Sequence, residues 1–267
     1  MKIMIRSDIE GVTGVTTYEQ AEKSSFGRDM LMNDLNACIE GLLSRGPQEI
    51  VIYDEHTDGR NIDLSRVNPR VKVICGKPAY RPDWGGIDSS YDALLMVGFH
   101  AKSGVPGALL PHSYSRKNLD IRLNGLSVGE IGMEAAVAGD FGVPLVMVTG
   151  DSAGMEEAEQ LIPGVRTAAV KKAMGEFAAE CLTPMATYEL IRKTAEGVHE
   201  KPDWPAPFRI SGPVALEIDL AESEFREKLK GKYGQYFISD STVRLTDDTV
   251  TAVWSHYCRI KSEASKS

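Results

Sequence analysis

The chain has 267 residues, 42% of them hydrophobic and 25% charged, the composition of an ordinary globular protein. A net charge of −8 and a pI near 5.3 exclude a general nucleic-acid binder and a protein held on anionic membranes. The opening Met1-Lys2-Ile3-Met4-Ile5-Arg6-Ser7-Asp8 is too short an apolar run for a signal peptide, and no run of about eighteen apolar residues is present to span a bilayer.

Ile3–Arg6 reads as the first strand. Phe26 to Ser44 is a helix, with an apolar stripe (Leu31, Leu35, Cys38, Ile39, Leu42) interrupted by Asp34 and a stop at Gly46-Pro47. Glu49–Tyr53, Val71–Cys75 and Ala93–Val97 are strands, the last running into Gly98-Phe99-His100. Asn124-Gly125 between alternating segments predicts a hairpin with a type I′ turn. Gly129 to Phe141 is a helix rich in alanine, and Val143–Val148 is a core strand. Asp151-Ser152 opens an acidic helix through Leu161, with Asp151 as its N-cap. Val165–Val170 reads as a strand and Thr183 to about Glu200 as a helix.

Three prolines in Lys201-Pro202-Asp203-Trp204-Pro205-Ala206-Pro207 rule out regular structure and mark a boundary. Beyond it come a strand (Val214–Ile218), a helix (Ala221–Leu229), a strand (Tyr236–Leu245) and a final helix from near Asp247, ending in a polar tail from Lys261. The expected fold is α/β: a mostly parallel central sheet flanked by helices over residues 1–200, with a smaller C-terminal α+β domain over 208–267.

Histidine, aspartate and glutamate are the usual ligands of a catalytic divalent metal. Asp8 and Glu10 follow the first strand, His56 follows the second, and His100 follows the strand that begins at Ala93. Open α/β sheets place their sites at such strand ends. Taken singly, each has a plain structural role: Asp8 and Glu10 as a solvated turn, and the histidines as packed, hydrogen-bonded residues. Three strand ends that all deliver metal-type residues point instead to a shared site, because adjacent strands lie only about 5 Å apart. Two carboxylates as close as Asp8 and Glu10 in an extended segment also need a cation between them. Glu130 opens a helix, where a carboxylate favours the N-terminus with or without a metal. Asp54 is either an acceptor that orients His56 or an ordinary loop residue. His112 lies on a Gly- and Pro-containing loop and is suited to act as base, acid or nucleophile. His199 and His256 read as structural or exposed.

Four scattered cysteines (Cys38, Cys75, Cys181, Cys258) with no CxxC read as reduced thiols of a cytoplasmic protein, so any metal should use oxygen and imidazole ligands. A phosphoesterase would be expected to show more basic residues near a metal site, and only Lys102, Arg116 and Lys117 are candidates.

Five motifs in order carry a resemblance. Ser7-Asp8-Ile9-Glu10-Gly11, Asp54-Glu55-His56, Gly98-Phe99-His100-Ala101-Lys102, Pro106-Gly107 with His112-Ser113, and Val128-Gly129-Glu130-Ile131-Gly132 resemble the zinc-dependent D-aminopeptidase family over most of the chain. Tyr53 and Glu55 stand where that family carries smaller or more neutral residues. The resemblance implies two divalent metal ions, zinc (Zn2+) above others, held by Asp8, Glu10, His56, His100 and Glu130, with the aspartate bridging and His112 as the proposed nucleophile. It further implies removal of N-terminal D-residues from short peptides with a free amine, and a ring-shaped homo-oligomer. No nucleic-acid or membrane partner is expected. Two other readings stay open at this stage: a different dinuclear metallohydrolase (an amidase or phosphoesterase), and a non-catalytic, metal-stabilised binding protein.

Overall fold

The computed structural model describes residues 1–46, 48–175, 177–199 and 203–266. Pro47, Glu200, Lys201 and Pro202, on which the expected helix stop and part of the expected boundary fall, lie outside the described residues.

The apolar run at the start forms β1 (Lys2–Ser7), and the helix expected after it is α2 (Ser25–Leu43). Between them lies α1 (Tyr18–Glu22), which the sequence reading lacks. Five residues are too few to show a helical period, but a capping box between Thr17 and Gln20 holds the turn. β2 (Glu49–Asp54), β3 (Val71–Ile74) and β4 (Ala93–Phe99) follow. β5 (Asn118–Leu123) and β6 (Leu126–Ser127) are joined through Asn124 and Gly125, whose φ of 50° and 83° are the left-handed pair that a type I′ turn requires. Then come α3 (Glu130–Asp140), β7 (Leu145–Asp151), α4 (Ser152–Leu161), β8 (Arg166–Gly175), β9 (Ala178–Cys181) and α5 (Pro184–Glu196). β10 (Val214–Leu220), α6 (Glu224–Tyr233), β11 (Thr242–Asp247) and α7 (Val250–Ser265) complete the chain.

The fold is α/β, as expected. A seven-stranded sheet runs β3-β2-β1-β4-β7-β8-β9, parallel except for the β8–β9 hairpin. Alternate residues of each strand feed opposite faces. Ile3, Ile5, Ile52 and Val97 pack on the side of α2 and α5, while Met4, Val51 and Met96 pack with residues of α3 and α7. The second sheet, β11-β10-β5-β6, is antiparallel and joins the latter core. Its membership crosses the boundary between 1–200 and 208–267, since β5 pairs with β10 on one side and with β6 on the other. No helix among the described residues is long and apolar enough to cross a membrane.

Several boundaries differ from expectation: β8 runs five residues past Val170, α6 starts and ends later than Ala221–Leu229, α5 ends at Glu196, and two further differences have a clear local reason. The strand expected over Tyr236–Leu245 opens as a 3-10 turn (Gly234–Tyr236), and β11 starts only at Thr242. The Ser239 hydroxyl accepts from the backbone N–H groups of Ser241 and Thr242 at 3.2 and 3.0 Å, folding the polar Ser239-Asp240-Ser241 step into a turn. The polar tail from Lys261 stays helical to Ser265, because Ile260 and Ala264 remain buried at helical spacing.

Candidate active site

Strand order sets the geometry. β2, β1 and β4 are neighbours, so their C-terminal ends deliver His56, Asp8 and His100 side by side. The segment after Asp8 turns rather than staying extended, with Val12 N–H bonded back to the Ile9 carbonyl at 3.1 Å. Glu10 still faces Asp8 across this turn, and both meet His56: its Nδ1 lies 3.0 Å from Asp8 Oδ1 and 3.0 Å from Glu10 Oε2. On the other side, His100 Nε2 lies 3.4 Å from Asp8 Oδ2 and 3.4 Å from Glu130 Oε1. Asp8 thus divides its two oxygens between two imidazoles, each served by a further glutamate.

At the centre of the site the carboxylates of Asp8, Glu10 and Glu130 face the imidazoles of His56 and His100. Burial raises the pKa of Asp8, yet hydrogen bonds and charge from His100 and His56 outweigh it and hold the carboxyl well below its usual range. Burial works against a charged His56, but Asp8 and Glu10 push its pKa up to about 11. His100 is raised well above its ordinary value in the same way, against burial, by Asp8 and Glu130. Protons on the two rings stand in for a cation here. His100 Nδ1 faces the Ala101 carbonyl at 2.9 Å, so in the neutral ring its Nε2 carries the lone pair aimed at the carboxylates. The other nitrogen of His56, Nε2, is buried with no hydrogen-bond partner among the described residues. Ligand atoms of Asp8, Glu10 and His100 lie within 4.8 Å of one another, as do those of His100, His112 and Glu130. Three carboxylates and oriented imidazoles at this spacing fit divalent metal.

Close backbone crossings hold the loop that carries Asp8 and Glu10. Gly11 N–H donates to the Gly98 carbonyl at 2.8 Å, and a Cβ on Gly11 would lie 1.9 Å from the Phe99 carbonyl oxygen. Gly98 has φ +82°, and its Cβ would lie 2.2 Å from the Asp8 carbonyl oxygen, so both positions need glycine. Lys171 on β8 is buried, and its ammonium donates to the carbonyls of Glu10, Val12 and Val15 at 2.5, 2.8 and 2.5 Å. Burial pulls its pKa down to about 8, against Asp151 and other nearby acidic groups. Asp34, the break in the apolar stripe of α2, accepts from the Thr13 backbone and hydroxyl at 2.9 and 2.8 Å. Glu130 is aimed by a similar device: Glu157 on α4 accepts from the backbone N–H of Gly129 and of Lys102, at 3.2 and 2.8 Å.

Asp54 receives the His56 backbone N–H at 3.2 Å and the Asn61 N–H at 2.6 Å, so it shapes the loop and leaves the ring to Asp8 and Glu10. Asp151 caps α4 as expected, accepting from Ala153 and Gly154. His199 bonds the Leu42 carbonyl at 2.8 Å, far from the site in the fold, and His256 packs edge-on against Tyr236.

His112 stacks on His100, ring centroids 4.1 Å apart and 8° from parallel. Its Nδ1 faces the Leu110 carbonyl at 3.0 Å, which turns Nε2 toward Glu130 Oε1 at 3.7 Å and Glu10 Oε1 at 3.9 Å. Its side chain is 13% exposed against 1% for His100, so His112 meets the cleft while His100 lies beneath it. The cleft has a volume of about 1160 Å³ and runs from the ligands past Tyr80 and Tyr114 to α7. Among the described residues, the non-glycine positions with positive φ are Thr57, Leu110, Tyr114 and Asn124. Three of them flank His56 and His112, which is where backbone strain is held for function.

One buried cluster beside the site escaped the sequence reading. Arg6, two residues before Asp8, is fully buried and pairs with Glu134 and with Glu55 at 3.0 Å. Tyr80 and Tyr114 donate their hydroxyls to Glu134, one helical turn beyond Glu130, and the Tyr114 N–H donates to Glu130 Oε1 at 2.6 Å. Tyr53 and Glu55 belong here: the Arg6 guanidinium lies 5.3 Å from the Tyr53 ring centre. Three ionised groups spaced this far apart in sequence give no local signal.

Fold and site define a metallopeptidase. A family model described as D-aminopeptidase (Peptidase_M55) matches residues 1–257. The chain is 33% identical over 228 residues to a D-aminopeptidase of Bacillus subtilis (strain 168), covering 83% of this chain and 82% of that one. It also superposes on a solved structure, the Zn-dependent D-aminopeptidase DppA from Bacillus subtilis, a self-compartmentalizing protease. That match has a TM-score of 0.91 at 26% identity and covers 100% of this chain and 99% of the other. The chain belongs to the D-aminopeptidase family, and the peptidase is selected over the other readings of the sequence.

Proposed function

We propose that this chain removes N-terminal D-residues from short peptides with two divalent ions, zinc by preference, held by Asp8, Glu10, His56, His100 and Glu130. The observation that carries the reading is the division of Asp8: one oxygen lies 3.0 Å from His56 and the other 3.4 Å from His100, with Glu10 and Glu130 completing the two halves. A carboxylate placed in this way suits a bridge between two ions. When bound, such ions supply Lewis acidity that polarises a carbonyl and acidifies water. His112 stands on the cleft side of this centre, and its Nε2 is the residue's free nitrogen for taking or giving a proton. Glu10 and Glu130 offer negative charge to the ammonium of a peptide N-terminus, which favours an aminopeptidase. The relative's name supports the preference for D-residues and for zinc.

The same reading assigns residues 1–200 as the catalytic unit and 208–267 as a smaller unit that lends α7 to the cleft wall. It makes the working form a homo-oligomer, in keeping with a self-compartmentalizing relative and with Met174 and Phe177, exposed at 74% and 55% on and beside the β8–β9 hairpin. Four free cysteines support a reducing, cytoplasmic setting.

The test is elemental analysis of chelator-free protein, followed by steady-state rates on D-Ala-D-Ala, L-Ala-L-Ala and N-acetyl-D-Ala-D-Ala. The expected result is two ions per chain, with preference for the first peptide. Equal kcat/KM for the stereoisomers contradicts the D-preference, and fast cleavage of the acetylated peptide contradicts the aminopeptidase.

A further inference from the structure

Of the three basic residues that the sequence places near the site, Lys102 gives its ammonium to the Ser127 hydroxyl and carbonyl at 2.8 and 3.2 Å. Lys117 is exposed and does not line the cleft, whereas Arg116 does. The short helix α1 fixes Arg116. Tyr18 and Glu22 are four residues apart on one face of α1. The Arg116 guanidinium lies 4.6 Å from the Tyr18 ring centre and 3.9 Å from a Glu22 carboxylate oxygen. Tyr18 in turn packs edge-on against His112, centroids 5.7 Å apart.

We propose that Arg116 binds the C-terminal carboxylate of the substrate, which makes this chain an aminopeptidase of unblocked di- and tripeptides. This inference rests on the aminopeptidase reading above. The reach agrees: the two spacings, 5.7 and 4.6 Å, keep Arg116 within the span of a tripeptide from His112, about 11 Å at about 3.6 Å per residue. The chemistry agrees as well. A guanidinium resting on an aromatic face keeps its in-plane N–H fork outward, and that fork matches a carboxylate with two parallel hydrogen bonds. Glu22 does not consume it, because that pair is beyond hydrogen-bond length and its side chains are 61% and 36% exposed. Of the other cations of the cleft, Lys77 is held by Glu55 at 2.9 Å, Arg81 and Arg259 lie 3.4 Å from Asp83 and Glu263 in exposed pairs, and Lys261 and Lys266 line the side of α7; Arg116 differs from them in resting on the ring that packs against His112. A peptide with its ammonium at the acidic cluster and its carboxylate at Arg116 would lie across the metal ligands and His112. A longer peptide would carry an uncharged amide past Arg116 and lose the contact.

The experiment compares kcat/KM of metal-loaded protein on D-Ala-D-Ala-D-Ala and on its C-terminal amide, in wild type, Arg116→Ala, Arg116→Lys and Lys261→Ala. Wild type should prefer the free acid by about 10-fold or more, the scale of a charge-assisted hydrogen bond at a partly exposed site. Arg116→Ala should erase that preference by raising KM for the acid alone, leaving the kinetics of the amide unchanged. Arg116→Lys should keep part of the preference, and Lys261→Ala all of it. Equal cleavage of acid and amide by wild type overturns the inference alone, as does a preference that survives Arg116→Ala or vanishes in Lys261→Ala. Failure of the wild type to cleave either peptide overturns the aminopeptidase reading, and this inference with it.

Discussion

Loading the site with metal should expel protons, and their number reports the geometry. In the absence of a cation, His56 and His100 are the groups that offset the charge of Asp8, Glu10 and Glu130. His56 Nδ1 is 3.0 Å from two carboxylates, and its pKa is pushed up to about 11; His100 is raised in the same sense. An imidazole must lose that proton before its nitrogen can bind metal. At pH 8, below its raised pKa, His56 still holds that proton, so displacing it weakens apparent metal affinity relative to a bare ring. Calorimetric titration of zinc into chelator-stripped protein, repeated in buffers of different ionisation enthalpy, should give about two protons released per chain. Affinity should climb steadily as pH rises from 7 toward 9. Release near zero at full loading would refute the reasoning, because ligands already bare cannot be those wedged between these carboxylates. Stripped protein should show the same shifts in its stability. The raised histidines stabilise the fold fully below their ordinary value of 6.5; the His56 contribution is lost as pH climbs through about 11, and that of His100 as pH climbs through its own raised value. The depressed Asp8 stabilises above its ordinary 3.8, and its contribution is lost as pH falls toward the lower folded value. Thermal melts of stripped protein should therefore peak between those limits, with metal moving the peak upward.

Lys171→Met leaves three buried carbonyls of the Asp8–Glu10 loop without their donor, and should cost about 3 kcal/mol in urea unfolding while weakening metal binding; unchanged stability would show that the loop holds itself. Gly98→Ala forces a side chain at φ +82° onto the Asp8 carbonyl, and should cost at least about 2 kcal/mol and lower metal content, both measurable on purified protein. His112→Ala should keep its fold and its metal and lose at least about 100-fold in turnover. Loss of metal with turnover restored by excess zinc would instead make His112 a ligand beside His100 and Glu130, whose atoms it can reach.

The strands that build the site were legible because β1, β2 and β4 are buried on both faces and so read as unbroken apolar runs. Their ends carried Asp8, His56 and His100, and parallel pairing brought those ends together. The Asn124-Gly125 turn was legible because only such residues adopt its dihedrals cheaply. What stayed hidden depends on distant partners. Arg6 looked like the flank of a strand, but its counterions Glu55 and Glu134 arrive from β2's end and from α3. Asp34 and Lys171 gain their purpose only when α2 and β8 close on one loop. The β9 strand is four residues long with no buried side, and α1 is a single capped turn, so neither presents a period. The helix α1 turns out to hold both Tyr18 against His112 and Arg116 at the cleft.

The central claim is that Asp8 bridges two ions, one shared with His56 and Glu10 and the other with His100 and Glu130. Anomalous diffraction at the zinc edge, from crystals of metal-loaded protein, tests it directly. The account predicts two peaks per chain, one on each side of the Asp8 carboxylate, about 3.5 Å apart as in paired-metal hydrolases. A single peak, or peaks that leave Asp8 outside contact, would contradict it.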